Sequence, residues 1–324
     1  MRAVVLGSGL VGSLMAIDMA ESGYEVRIAD RRPDGLAATA ARIRERTGRD
    51  PATVEADLAD ADRLRELIAD ADVVLGALGS AIGYEALRTI VDTGKPYADI
   101  CFMREDGRDH HDAARRAGAT AVIDCGVAPG LSNLLAARSV QELETPSHLV
   151  IHVGGLPVER RWPWEYKAGF SPHDVLEEYT RPCRIKVDGR IVVREALEDP
   201  EQVHIAGLGT LEGVLTDGLR SLLDELPVPH MVEKTLRYPG HYELIRVLRH
   251  AGFFREDEIE VRGIRVRPLD VTERLLFPHW EYAPGEPDLT VMRVEVRGRQ
   301  GDRPVRAIWE LLDRHVAETD DTSM

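Results

Sequence analysis

The stretch "VLGSGLVG" sets Gly7, Gly9 and Gly12 in the spacing G-x-G-x-x-G, between an apolar run and a helix-like pattern. Glycines so spaced build a pyrophosphate site. The first allows a tight turn, the second lets backbone amides approach the phosphates, and the third lets the helix pack on the strand. The helix N-terminus adds unpaired N–H groups and a partial positive charge. Asp30 ends the next apolar run, 18 residues after Gly12. A carboxylate there accepts the ribose hydroxyls and repels a 2′-phosphate, so the expected cofactor is NAD. Arg31 and Arg32 follow it, and an arginine at this point can pair a phosphate, which keeps NADP as the less favoured alternative. Leu10 and Val11 at the helix start, Arg31, and Ala77 and Leu78 in "GALGS" (76–80) complete the expected cofactor contacts.

Two acids, Asp99 in "PYADI" and Asp124 in "VIDCGVAPG", are expected at strand ends. Ligands of open α/β sheets bind beyond the carboxyl ends of the strands, so both are candidates for the reacting end of the site. Farther along, "KTLRYPGH" (234–241) gathers cations, a phenol and an imidazole at a Pro-Gly turn. Arg237 is suited to clamp a carboxylate through two parallel hydrogen bonds. Tyr238 and His241 are expected to project from the turn. Lys167, within the aromatic segment "WPWEYKAGFSPHDVLEEY" (162–179), is a second cationic candidate. No His/Cys cluster has ligand spacing, so no metal is expected.

These residues need a scaffold. "AVVLG", "EVRIAD", "TVEAD", "DVVLGAL", "PYADI" and "TAVIDCG" read as strands, with helices near 10–22, 34–46, 60–70, 82–93 and 108–117. Strands alternating with helices of this length make βαβ units and a parallel sheet. The texture then changes. "CRIKVDGRIVV" reads as a hairpin turning at Asp188-Gly189, "IEVRGIRVRP" alternates about Gly263, and "DLTVMRVEVRG" and "RPVRAIWELL" form two long strands. Helical runs are expected near 210–225, 240–251 and 268–277. The fold class is α/β: a Rossmann doubly wound parallel sheet over 1–133, then an α+β domain on a mainly antiparallel sheet over 134–324.

Composition narrows the function. The 324 residues carry 41 Lys and Arg against 56 Asp and Glu, a net charge of −15. Nucleic acid and anionic membrane surfaces repel such a chain, which points to a small-molecule ligand. No 18-residue apolar run suggests a membrane span. The N-terminal apolar stretch, interrupted by glycines, reads as strand and turn rather than as a signal peptide. Cys101, Cys125 and Cys183 are too few and scattered for a disulfide framework, and read as reduced thiols of a cytoplasmic protein.

Taken together, "VLGSGLVG", "DCGVAPGLSNLLA", "VGGLPV", "WEYKAGFSPHDVLEEY", "TDGLRSLL" and "KTLRYPGH" resemble the saccharopine dehydrogenase-like family, most of all its L-lysine 6-dehydrogenase branch. The likeness runs over essentially the whole chain. The glycine motif is generic, whereas the combination of the other motifs is specific. The resemblance implies an NAD-dependent amine oxidoreductase, a homodimer, acting on the ε-carbon of lysine to give allysine and its cyclic piperideine. It leaves a saccharopine or carboxynorspermidine-type imine reductase, or a non-catalytic nucleotide sensor, as alternatives. It also gives the candidates roles: Asp99, Asp124 or His241 as the base, and Arg237 with Lys167 on the substrate carboxylate. In that family the chain runs on past the equivalent of Met324 with a helical segment returning to the first domain. The expectation is therefore either a chain cut short of the family's length or an uncovered apolar patch on residues 1–133 that a partner chain fills.

Overall fold

The computed structural model describes residues 1–283 and 285–323. They form two compact units, Met1–Gly126 and Val127–Met324, so the break falls seven residues before the expected boundary at 133.

In the first unit, strands β1 (Arg2–Leu6), β2 (Glu25–Asp30), β3 (Ala52–Glu55), β4 (Val73–Gly76), β5 (Tyr97–Asp99) and β6 (Ala121–Val122) alternate with helices α1 (Leu10–Glu21), α2 (Pro33–Thr47), α3 (Ala61–Ile68), α4 (Ser80–Asp92) and α5 (His111–Ala117). The strands are all parallel, in the order β3-β2-β1-β4-β5-β6. The chain reverses direction across the sheet between β1 and β4, which opens a crevice at their carboxyl ends. Local signals explain the boundaries. Helix α2 begins with Pro33, carries Asp34 in its first turn and Arg44 and Arg46 in its last, and stops at Gly48 with φ 69°. Each of these choices favours a helix at that point.

Ala3, Val4, Val5 and Leu6 of β1 are wholly buried, as a strand covered on both faces must be. One apolar cluster unites Val5, Val26 and Ile28 with Ala16, Ile17, Leu36 and Ile43 of α1 and α2. The other unites Val4, Leu6 and Val74 with Leu64, Leu67, Leu87 and Ile90 of α3 and α4. On the α1–α2 side the cover thins beyond β1: Leu75 and Ala98 are half-buried, and Val122, in register with them, is 54% exposed.

The second unit contains α6 (Leu131–Gln141), β7 (Thr145–Pro157), α7 (Pro172–Thr180), β8 (Cys183–Val187), β9 (Arg190–Arg194), β10 (Glu201–Ile205), β11 (Gly209–Leu215), α8 (Leu222–Glu225), β12 (His230–Arg237), α9 (His241–His250), β13 (Ile259–Val261), β14 (Ile264–Val266), α10 (Pro268–Trp280), β15 (Asp288–Gln300) and β16 (Arg303–Arg314). Its large sheet runs β10-β11-β12-β7-β15-β16, with the β8–β9 hairpin joined to β12. Every pairing in it is antiparallel except β7 with β12. The hairpin turn at Asp188-Gly189 has φ 49° and 75°, the paired left-handed conformation such turns require.

One expected element fails in this unit. The helix expected over 210–225 is instead strand β11 followed by the one-turn helix α8. Leu211, Val214, Leu215, Leu219, Leu222 and Leu223 recur at helical spacing, yet Gly209 and Gly213 disfavour a helix and the sheet claims Gly209–Leu215. The "KTLR" portion of 234–241 is the end of β12, with β7 on one side and β11 on the other. The turn follows at Pro239-Gly240, where Gly240 has φ 98° and opens α9.

Candidate functional site

The glycine loop is built as its spacing requires. Gly7 has φ 103°, and a side chain on it would overlap the Ala77 carbonyl. A side chain on Gly12 would overlap the Gly7 carbonyl, while Gly9 caps α1 with no side-chain hydrogen bond of its own. The first turn of α1 thus presents bare amides beside Ala77 and Leu78, which are half-buried at the end of β4. Leu10 is 43% exposed and Val11 half-buried on the same rim. Substituting Gly7 by Ala should abolish dinucleotide binding while the second unit stays folded. Equilibrium titration of fluorescence with NADH and NADPH is the measurement, and retained affinity for either would remove the loop from the site.

Asp30 is 8% exposed and held by the loop it faces. Ser8 donates its backbone N–H (2.6 Å) and its hydroxyl (2.9 Å) to Asp30 Oδ2, and the Arg32 N–H donates to Oδ1 (2.9 Å). Burial works to raise the carboxyl, but these hydrogen bonds prevail and hold it below the ordinary value. The Arg32 guanidinium lies 3.7 Å from Oδ1 with its side chain 63% exposed, and Arg31 is exposed. Ser8 is a contact that sequence reading overlooked, although its place between the first two glycines could have shown it.

The two acids meet at the far side of the same edge. Asp99 ends β5 and is wholly buried. Its Oδ1 accepts the Cys101 N–H at 2.8 Å, and Oδ2 has no hydrogen-bond partner among the described residues. Burial pushes this carboxyl up to about 7; the Cys101 amide and the Tyr97 phenol oppose the rise, and the charge of Asp124 adds to it. Asp124 is half-buried with φ 55°, and the next residue, Cys125, donates its N–H to the Asp99 carbonyl at 2.8 Å. A buried carboxyl that ionises near neutrality suits proton transfer. Among the described residues, no group of three or more His, Cys, Asp or Glu could hold a metal ion.

Of the second unit's candidates, Arg237 and His241 share one enclosed cluster, while Lys167 and Tyr238 are held elsewhere. Arg237 is 2% exposed; it donates to Glu178 Oε2 (3.1 Å), the Tyr179 hydroxyl (3.3 Å) and the Tyr166 hydroxyl (3.4 Å), and its guanidinium lies 4.4 Å over the Tyr166 ring. The structure therefore supplies the clamp with a carboxylate from helix α7. His241, 2% exposed, bonds through Nε2 with the Tyr179 hydroxyl (3.0 Å) and through Nδ1 with the Trp164 carbonyl (2.9 Å). Burial first, and then the Arg237 charge, lower it to about 3, so it stays neutral at physiological pH. Neither Tyr238 nor His241 projects outward. Tyr238 donates its hydroxyl to the Pro157 carbonyl at 3.0 Å, and Lys167 holds Glu286 at 2.6 Å and the Glu281 carbonyl at 2.7 Å. "TDGLRSLL" (216–223) is held by a buried acid of β12: Glu233 accepts the Thr216 hydroxyl at 2.5 Å and the Gly218 N–H at 3.0 Å, and burial pushes it up to about 7. Glu178 and Glu233 escaped sequence reading because their partners lie far off in the chain.

A parallel sheet with this loop at its switch point defines a dinucleotide-binding protein of the Rossmann class. Comparison with known proteins narrows that class. "Saccharopine dehydrogenase NADP binding domain" matches residues 3–122 and "Saccharopine dehydrogenase C-terminal domain" matches residues 126–324. The chain belongs to the saccharopine dehydrogenase family. The saccharopine dehydrogenase [NADP(+), L-glutamate-forming] of Pyricularia oryzae is 22% identical over 271 residues, which are 79% of this chain and 58% of that protein. The alpha-aminoadipic semialdehyde synthase of Arabidopsis thaliana is 21% identical over 227 residues, 65% of this chain and 21% of that one. The chain thus spans well under two thirds of each of these relatives. The apo saccharopine dehydrogenase (L-Glu forming) of Saccharomyces cerevisiae has the same fold, with a TM-score of 0.77 at 17% identity over 99% of this chain and 87% of that one. A nicotinamide dinucleotide is the cofactor these findings support, and the matched family description names NADP where Asp30 had favoured NAD. No helix among the described residues is long and apolar enough to cross a membrane.

Proposed function

We propose that this chain is an NAD(P)-dependent oxidoreductase acting on CH–NH2 donors, with the ε-amine of L-lysine as its substrate and Asp99 as its base. The observation that carries the reading is Asp99 itself, a buried carboxyl with an unpartnered oxygen in the same unit as the glycine loop. Of the three candidate bases, His241 is the least suited, since both of its ring nitrogens are engaged inside the second unit. The bound nicotinamide supplies the hydride acceptor. Ionised Asp99 accepts a proton from the substrate ammonium, because only the neutral amine can release hydride from the adjoining carbon. After hydride loss the protonated carboxyl returns its proton to solvent. The iminium carbon then takes up water, the carboxylate accepts that water's proton and passes it to the carbinolamine nitrogen, and the C–N bond breaks to release ammonia and the aldehyde. Arg237 and Lys167 would serve the substrate carboxylate by exchanging Glu178 and Glu286 for it.

The relatives' names support a second reading, a saccharopine-type enzyme, in which the amine is secondary and the departing group an amino acid. One experiment separates the readings. The purified protein is incubated with NAD or NADP and with lysine, saccharopine and a set of other amines, and formation of the reduced nicotinamide is followed by absorbance. Turnover of lysine supports the first reading, turnover of saccharopine the second, and cofactor binding without turnover a sensor.

NAD is the proposed cofactor, since Asp30 would meet a 2′-phosphate as like charge. A carboxylate held ionised at the ribose should give NADH at least about tenfold tighter binding than NADPH, the ratio corresponding to about 1.4 kcal/mol. Dissociation constants of the two decide the point. Tighter NADPH binding would mean that Arg32 and Arg31 receive the phosphate while Asp30 serves only to hold Ser8.

A further inference from the structure

Tyr97 sits two residues before Asp99 on β5, so the two side chains leave the same face of the sheet. Gly76 of β4 lies in register with Asp99 and Val74 with Tyr97. A side chain on Gly76 would overlap the Tyr97 hydroxyl and come within 2.9 Å of Asp99 Oδ1. The missing side chain is what lets the phenol reach across to the carboxyl. Tyr97 is 2% exposed, and its hydroxyl, like Asp99 Oδ2, has no hydrogen-bond partner among the described residues. A buried hydroxyl and a buried carboxyl oxygen left open side by side are costly unless they satisfy one another in some state of the site.

We propose that Tyr97 is the positioning residue of the base: its phenol, seated over Gly76, donates to Asp99 when that carboxyl ionises, and so sets the pH at which Asp99 can accept a proton. The inference rests on the reading of Asp99 as the base. Among the described residues, the ionisable groups facing Asp99 are Tyr97 and Cys101 along its own stretch of chain, and Asp124 and Cys125 after β6. None is a cation. Asp124 opposes the negative form and the Cys101 backbone amide already donates; the phenol, seated over Gly76 on the same face, is the strong side-chain donor beside the carboxyl. Burial, reinforced by Asp99, pushes the Tyr97 phenol well above its ordinary value, so it keeps its proton and remains a donor at neutral pH.

Losing a hydrogen bond to a charged group should raise the carboxyl pKa by about one to two units. The test uses the full chain without cofactor, its aspartates carrying 13C in the carboxyl group, titrated by NMR as wild type, Tyr97→Phe and Asp99→Asn. The resonance missing from Asp99→Asn assigns Asp99. Its midpoint is expected to move upward by about one to two pH units in Tyr97→Phe, with an unchanged circular-dichroism spectrum. In an active preparation the acid limb of kcat/KM should move by the same amount. An unmoved midpoint in the folded variant overturns the inference whatever the activity. If Asp99→Asn turns over normally, the reading of Asp99 as base falls instead, and the two failures are told apart.

Discussion

Asp99→Asn should lower kcat/KM by about 10²–10⁴-fold, the range a positioned general base contributes, while leaving the dissociation constant of the dinucleotide within a few-fold of wild type. The amide keeps the shape of the side chain and can still accept the Cys101 N–H, but it takes up no proton. In the wild type, activity should rise with pH through about 7, because the carboxyl must be ionised to act. The same group leaves a mark on stability, and its sign is opposite to that of a paired surface acid. Its folded value, about 7, stands above the ordinary 3.8, so the folded state holds the extra proton between those limits. Its contribution to stability is complete below about pH 4 and is lost as the pH rises through about 7. Asp99→Asn should flatten that decline. Kinetics on the loaded enzyme and melts across this pH window measure the two consequences separately. A variant that turns over at the wild-type rate would leave Asp124 as the candidate to test next.

Arg237→Ala is expected to harm the fold more than a substitution at Asp99 or in the glycine loop. The guanidinium is enclosed with Glu178, and burial already pushes that carboxyl up despite the opposing charge of Arg237. Removing one partner of a buried ion pair costs about 3–5 kcal/mol, because the other is left charged and unsolvated. For a unit of this size that corresponds to a melting temperature lower by roughly 6–20 °C. Tyr166 and Tyr179 would lose their shared cation as well. The paired change Arg237→Met with Glu178→Leu separates structure from function, since replacing both charges by apolar groups should recover most of the stability. If Arg237 also holds the substrate carboxylate, the double variant should melt near the wild type yet show a KM higher by at least ~30-fold. A double variant with normal KM would confine Arg237 to holding β12, α7 and α9 together. A single variant that melts with the wild type would show the ion pair to be dispensable, and the arginine open to substrate.

These two residues also mark where a linear reading loses power. Asp99 is legible because periodicity alone places it at a strand end, and strand ends of an open parallel sheet are where ligands bind. Its unusual ionisation is not legible: it needs Tyr97, Cys101 and Asp124 around one enclosed carboxyl, and a glycine on the neighbouring strand. Arg237 fails in another way. A guanidinium beside a Pro-Gly turn looks free to bind an anion. Only the pairing of β12 between β7 and β11, with α7 laid against it, shows that the chain supplies the anion from 59 residues away. His241 repeats the lesson, since its neutrality comes from Tyr179, Trp164 and Arg237 together.

The sequence by itself determined the first unit. Gly7, Gly9, Gly12 and Asp30 lie within one strand-helix-strand unit, β1-α1-β2, where spacing along a short stretch of chain places the loop beside the acid. It determined the hairpins for the same reason, because a turn such as Asp188-Gly189 imposes its conformation on two residues only. Tertiary structure decided everything that rests on desolvation. Whether Gly209–Leu215 is strand or helix, whether Arg237 faces a substrate or Glu178, and whether Asp99 ionises near 4 or near 7 all depend on which groups exclude water from it. Those groups are distant in the chain, and burial, unlike a turn, is a property no short stretch of residues possesses alone.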